Sequence, residues 1–364
     1  MTDMAQAPAH AFPPGEYLRD ELDERGWTVT EFSEIIGRPI QAVSEILNAK
    51  KEITAETAMA IAAALGTTPE VWLNLQTRYR LYLQRTSADR LDLTPVARRA
   101  RLRNAIPLAE ARSRGWLPDT SDLDEMESAV CRLLEIGTLD ESPAFALAAR
   151  RSNRAEPITL KQSAWLGHVR RMAEVQEVER FDVGALGSLA QNLPSLLRDG
   201  PDGLRRLPAL LGECGVCLVF CEGLRGGKLD GAVTFLNDDR PAIGLTTRHN
   251  RFDSLLFTLL HECAHLTLGH IAPQSGAIVD DDITEAKTHP DEIAADEQAS
   301  TWLFPGKLRI RSTSVSEIVQ AASDHDVHPS VVIGQIHRHT ENYSLHRAHI
   351  PRVRPALQDA GLMS

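Results

Sequence analysis

Along most of this chain apolar residues recur three and four apart, the repeat of helices that bury one face. The first run puts Tyr17, Leu18 and Leu22 on one stripe between Gly15 and Arg25. Thr28 stands where a cap is needed for a second helix, Val29 to Ile36, ended by Gly37. Pro39 falls at the first turn of a third, Ile40 to Leu47, which stops near Asn48. Thr54 opens a fourth with Ala58, Ile61, Ala62 and Leu65, closed by Gly66. Thr68 with Pro69 opens a fifth with Val71, Trp72, Leu75 and Tyr79. From Thr86 to about Gly200 the pattern stays helical, and Trp165, Leu166, Val169 and Met172 mark an amphipathic helix within it. Gly215 to Phe220 is instead a continuous apolar run, which predicts a buried strand.

Helical spacing returns at Phe252, Leu255, Leu256, Leu259 and Leu260, unbroken by Pro or Gly, and leads into His261-Glu-Cys-Ala-His265. Residues four apart share a helix face. His261 and His265 therefore can grip one metal ion, with Glu262 one step round, within reach of a water on it. Glu292-Ile-Ala-Ala-Asp296 begins a further helix-like run through Ala299, Trp302 and Leu303, stopped by Pro305-Gly306. Glu292 as third ligand would leave a fourth position open on a zinc ion. Asp296, one turn later, would accept a hydrogen bond from the far nitrogen of a ligating His and fix its tautomer. His270, His289 and the acidic run Asp280 to Asp282 are the other candidates for third ligand. His270 is out of step with the three-His spacing, Pro290 favours a loop at His289, and acidic runs are usually solvated loops.

At 364 residues the chain has room for two or three domains. A net charge of -11 argues against a general polyanion binder, so any DNA contact must be local. The N-terminal lead from Met1 to Pro14 lacks a basic-then-apolar signal pattern, and no apolar run approaches the roughly 20 residues that span a bilayer. A cytoplasmic protein with no membrane partner is expected. Cys214, Cys217 and Cys221 are spaced CxxCxxxC, but in a buried strand Cys is a small hydrophobe, with Cys217 and Cys221 on one face and Cys214 on the other. Arg98, Arg99, Arg101, Arg103, Arg112 and Arg114 form a basic stretch, read as the solvated side of helices or as an extension of a DNA footprint.

Five short helices with a tight turn between the second and third match a helix-turn-helix. The residues Pro14-Gly15-Glu16, Gly26-Trp27, Gly37-Arg38-Pro39, Val43-Ser-Glu-Ile-Leu-Asn48, Ile53-Thr-Ala-Glu-Thr-Ala58 and Pro69-Glu-Val-Trp-Leu-Asn-Leu75 closely resemble the HigA branch of the Xre-type DNA-binding fold. That resemblance implies that Ile40 to Asn48 is the recognition helix. Gln41, Ser44 and Asn48 would then face base edges, Gln favouring adenine, while Arg38, Lys50 and Lys51 would pair with phosphates. It also implies a homodimer and, in the antitoxin case, a toxin partner. Residues 1–85 nevertheless carry 8 Lys and Arg against 12 Asp and Glu, which leaves a protein-docking role open.

Arg251-Phe252 before the HExxH helix, then Glu292-x-x-x-Asp296 ending at Leu303-Phe-Pro305, resembles the ImmA/IrrE zinc metallopeptidases. Gly231 to Phe235 and Pro241 to Leu245 match that family's strand region. Ala264 stands where the family usually has Gly, and Glu297-Gln298 where it has a small-aromatic pair. The resemblance implies cleavage of a regulatory protein, often a helix-turn-helix repressor. His328, His337 and His339 are candidates to stabilise an oxyanion. The expected architecture is mainly α with a small α+β domain. It comprises a helix-turn-helix domain (1–85), a helical connector (86–200) and a zincin-like peptidase domain with a small sheet (201–364). A HigA-like antitoxin or repressor with a sensory or structural metal site is the rival expectation.

Overall fold

Capping chemistry sets the helices of the N-terminal unit. In the computed structural model, which describes residues 11–87, 92–147, 150–151, 158–273, 276–280, 289–306, 308 and 312–363, five helices occupy this region. They are α1 (Pro14–Arg25), α2 (Val29–Ile35), α3 (Ile40–Leu47), α4 (Ala55–Leu65) and α5 (Pro69–Thr86). Thr28 and Glu31 form a reciprocal capping box at α2, and the Thr54 hydroxyl caps α4 by accepting from the Thr57 N–H. The apolar stripes meet in one core of Leu18, Leu22, Phe32, Val43, Ile61 and Trp72. The Trp72 indole N–H is satisfied by Thr67 Oγ1 at 2.9 Å.

The chain divides into two compact units, Met1–Pro95 and Val96–Ser364. The second is built on five strands: β1 (Arg150–Arg151), β2 (Cys217–Phe220), β3 (Gly231–Phe235), β4 (Pro241–Leu245) and β5 (Ala277–Asp280). They lie in the order β1-β5-β3-β4-β2, with β3 antiparallel to β4 and β5, and β2 parallel to β4. Successive strand residues point to opposite faces, and the sheet accordingly has two cores. Leu218, Phe220, Val233, Ile243 and Ile278 belong to one. Cys217, Val219, Ala232, Ala242 and Val279 belong to the other.

The first face carries the motif helix (Phe252–Thr267) and the helices Val183–Leu196, Pro290–Leu303, Val315–Asp324 and Pro329–Thr340. Helices Thr94–Ala105, Leu123–Leu134 and Leu160–Glu174 supply the core on the second face. The segment expected as a separate connector is therefore not one. Trp165 is fully buried with its indole N–H donating to the Cys221 carbonyl at 3.0 Å, and Arg170 holds Glu135 through both carboxylate oxygens while donating to Thr234 Oγ1. The apolar stripe of a helix locates a buried face but does not say what it covers, and here it covers the sheet. The boundary expected near residue 85 falls at residues 95 and 96 instead.

The basic stretch is used within this unit. Arg98 pairs with Glu127 and Asp124, and Arg114 donates to the carbonyls of Glu222 and Gly223 at 2.7 and 2.9 Å. All five cysteines are free thiols. Cys217 and Cys221 pack in the second core and Cys214 in the first. No described helix is long and apolar enough to cross a membrane.

Candidate metal centre and helix-turn-helix surface

Apart from Ser254, the motif helix is buried from Phe252 to Leu266, so its polar residues enter the interior on an apolar framework. At its first turn the Arg251 guanidinium grips both oxygens of Asp253, at 3.1 and 2.6 Å. Two turns on, His261 and His265 present their Nε2 atoms to each other at 2.9 Å. The neighbouring helix Pro290–Leu303 brings Glu292 to the same point, with Oε2 3.2 Å from His261 Nε2 and Oε1 3.5 Å from His265 Nε2. On the other nitrogen of His261, Asp296 Oδ1 lies 2.8 Å from Nδ1.

A fourth group joins these three. Asp280 Oδ2 lies 3.1 Å from His261 Nε2, and one donor atom each from His261, His265, Asp280 and Glu292 fall within 4.8 Å of one another. The solvated loop expected for the acidic run is thus wrong at Asp280, which ends β5 and is 1% exposed; Asp281 and Asp282 lie outside the described residues. Strand parity explains the placement. Ile278 faces the motif helix, so Asp280, two residues on, faces it too. The run Ala277-Ile-Val279 was the available signal, a short apolar block feeding directly into the acidic one.

The donor set fits a metal ion. Two imidazole nitrogens and two carboxylates converge in a buried place, where carboxylates are costly without a cation between them. Separations near 3 Å suit donors that share one ion at about 2.0–2.2 Å. The electrostatics point the same way. Burial pushes the His261 imidazolium down, but the Asp280, Asp296 and Glu292 carboxylates outweigh it and hold it well above its ordinary value. For Glu292, burial is outweighed by hydrogen bonds from His261 and His265, which bring it down to about 2. Burial pushes His265 down. The site thus favours a positive charge among its acceptors.

Glu262 is fully buried beside this cluster. Its carboxylate packs against Gly231, where a Cβ would collide with Oε1, and Gly231 is the β3 partner of Asp280. The missing side chain at position 231 is what makes room for Glu262 at the end of the sheet. The other histidines stand elsewhere. His270 Nδ1 contacts His265 Nδ1 at 3.0 Å, and His289 caps the Glu292 helix by accepting from the Asp291 N–H. His337 lies between Arg251 and the Leu345 carbonyl, His328 caps its own helix at Ser330, and His339 is exposed beside Gln335. None of these last three belongs to the cluster.

In the N-terminal unit, α3 exposes Gln41 and Asn48, with Ser44 half-buried between them. Gln41 Nε2 donates to Glu45, and Asn48 Nδ2 donates to the Ser44 carbonyl at 2.8 Å, so both amides are pre-oriented along the helix. Lys50 and Lys51 follow, both exposed. Arg38 is held by Glu56 at 2.6 Å and would have to exchange that partner for a phosphate.

This unit defines a helix-turn-helix protein, and the helix-turn-helix family model (HTH_3) matches residues 18–72. The chain belongs, through this domain, to the helix-turn-helix transcriptional regulators. It is 31% identical over 68 residues to an uncharacterised HTH-type transcriptional regulator, YddM, of Escherichia coli, a match covering 19% of this chain and 72% of that protein. It is 43% identical over 63 residues to antitoxin HigA-1 of Vibrio cholerae, covering 17% of this chain and 59% of the antitoxin. Among solved structures, PA4674 of Pseudomonas aeruginosa in complex with its operator DNA is 29% identical, covering 20% of this chain and 78% of that one, with a TM-score of 0.20.

Proposed function

We propose that this chain is a DNA-binding transcriptional regulator that carries a zinc-dependent metalloendopeptidase of the ImmA/IrrE kind. The observation that carries the reading is the convergence of His261, His265 and Glu292 with a buried Glu262 beside them. A zinc ion held by the two imidazoles and Glu292 would supply a Lewis acid that polarises the scissile carbonyl and lowers the pKa of a water molecule. Glu262 would take the proton of that water as general base and return it to the leaving amine. Asp296 would hold the His261 ring through Nδ1 and keep Nε2 turned to the metal. The substrate class is a regulatory protein, such as a helix-turn-helix repressor, in stress-response or toxin-antitoxin control. Operator contacts fall to Gln41, Ser44 and Asn48, with Lys50 and Lys51 on phosphates and Arg38 available if Glu56 releases it. A homodimer and a toxin partner belong to the same reading.

The test is a comparison of the zinc-loaded protein with its Glu262→Gln variant on a proteome-derived peptide library, reading new N-termini by mass spectrometry. New termini from the wild type alone, with equal zinc in both proteins, are expected. Equal termini from both proteins would remove Glu262 from the chemistry.

Asp280 supports a second reading. With it, the cluster offers four protein donors, the number that closes a structural zinc site. A HigA-like antitoxin or repressor whose metal is sensory or structural would use such a site and cut nothing.

A further inference from the structure

Next to the metal centre the second unit has a small cavity that the peptidase chemistry does not use. It is about 40 Å³ in volume and is lined by Arg251, Asp253, Phe257, Gln335, Arg338 and Tyr343, among others. Phe257 joins it to the centre, because one ring contact of Phe257 is with His261, stacked at 6.3 Å, and another is with Arg338, whose guanidinium carbon lies 3.1 Å from the ring centroid. Arg338 is delivered by the helix Pro329–Thr340, which approaches the motif helix closely at Gly334, where a Cβ would collide with Asp253.

The two cations of the cavity are in different situations. Arg251 is already engaged by Asp253 and by His337 Nδ1 at 2.9 Å. Arg338 makes no hydrogen bond or ion pair with any described residue, and its guanidinium lies over the face of Phe257. Burial pushes it down to about 10, against the pull of Asp296 and Asp253, so it remains a cation at neutral pH. A guanidinium has five N–H donors, and leaving them unmatched in a half-buried place is costly. Its fork matches a carboxylate through two parallel hydrogen bonds. One water needs roughly 10–15 Å³, so the cavity has room for a carboxylate.

We propose that this cavity is a substrate subsite, in which Arg338 receives a carboxylate of the peptide beside the bond that is cut. The carboxylate is supplied by an acidic side chain or by a free C-terminus. Resting on the peptidase reading, the proposal makes Arg338 a specificity residue: it binds substrate away from the reacting carbonyl, on the far side of Phe257. Of the three histidines considered for oxyanion stabilisation, His328 caps this helix and His337 and His339 lie within it on either side of Arg338, which is the residue that lines the cavity.

Binding, rather than cleavage, separates this proposal from the peptidase reading. Full-length zinc-loaded protein is titrated with four capped or uncapped peptides: Ac-Ala-Ala-Glu-Ala-Ala-NH2, its Gln counterpart, Ac-Ala-Ala-Ala-Ala-OH and its amide. Expected is about tenfold tighter binding of one acidic peptide over its neutral twin, with that preference gone in Arg338→Gln and partly kept in Arg338→Lys. Preference for the Glu peptide identifies a side-chain subsite, and preference for the free acid a terminal one; either supports the proposal. Equal binding of acidic and neutral peptides by the wild type overturns it, and that comparison needs no variant to fold. A preference that survives in folded Arg338→Gln also overturns it. Loss of peptide cleavage in Glu262→Gln bears only on the catalytic reading and leaves these binding outcomes legible.

Discussion

Asp280 decides how the metal centre closes. If the reaction needs an open position on zinc, Asp280 acts as a neighbour of His261, and Asp280→Asn keeps about one zinc per chain with affinity weakened roughly 10–100-fold, the range of outer groups. Competition with a zinc-binding dye measures this. A loss as complete as that in Glu292→Ala would place Asp280 among the ligands and favour the closed, non-proteolytic site. A second residue links the fold to pH. His168 stacks on Trp116 at 4.5 Å and is pushed down to about 4, first by burial and then by Arg171 and Arg114. As pH falls from its unfolded value of 6.5 the unfolded chain takes up this proton first, so stability is complete above 6.5 and declines toward pH 4. The decline is about 3 kcal/mol at most. Urea titrations at pH 7.5 and 5 should show a smaller acid loss in His168→Phe, which keeps the stacking; parallel losses would assign the effect to other groups.

At the scale of elements, the sheet explains both what the sequence revealed and what it hid. Trp165→Ala removes a fully buried ring from the second core and is expected to destabilise the second unit by about 3–5 kcal/mol while leaving the first unfolding at its wild-type denaturant concentration. Helix existence was legible because caps and stripes are local: Thr28, Thr54 and Pro69 mark starts at the places the chain uses. Cys217 and Cys221 share one core as strand parity expects, whereas Cys214 reaches the other core from the end of the helix Leu207–Glu213 and not from the strand. The partners of a face are not local, which is why the helices from Thr94 to Glu174 read as a connector although they share one core with the sheet. Asp280 was set aside as a solvated loop for the same reason. Its role depends on β5 pairing with β3, and four residues of strand ending in an acidic run give little local sign of that. Arg338 carries no motif at all; only packing against Phe257 singles it out.

At the scale of the molecule, a regulatory domain of 95 residues and a unit with a buried two-His, two-carboxylate cluster share one chain. The first is a helix-turn-helix domain by its fold and its relatives. Whether the second works on protein depends on the metal, so its content is the measurement to make first. Purified full-length protein, with His261→Ala, Glu292→Ala and Glu262→Gln beside it, is weighed intact and assayed for metals by mass spectrometry. About one zinc per chain is expected in the wild type and in Glu262→Gln, and almost none in the other two. A wild-type protein that takes up no zinc when it is added, or one that keeps it without His261, would contradict the account.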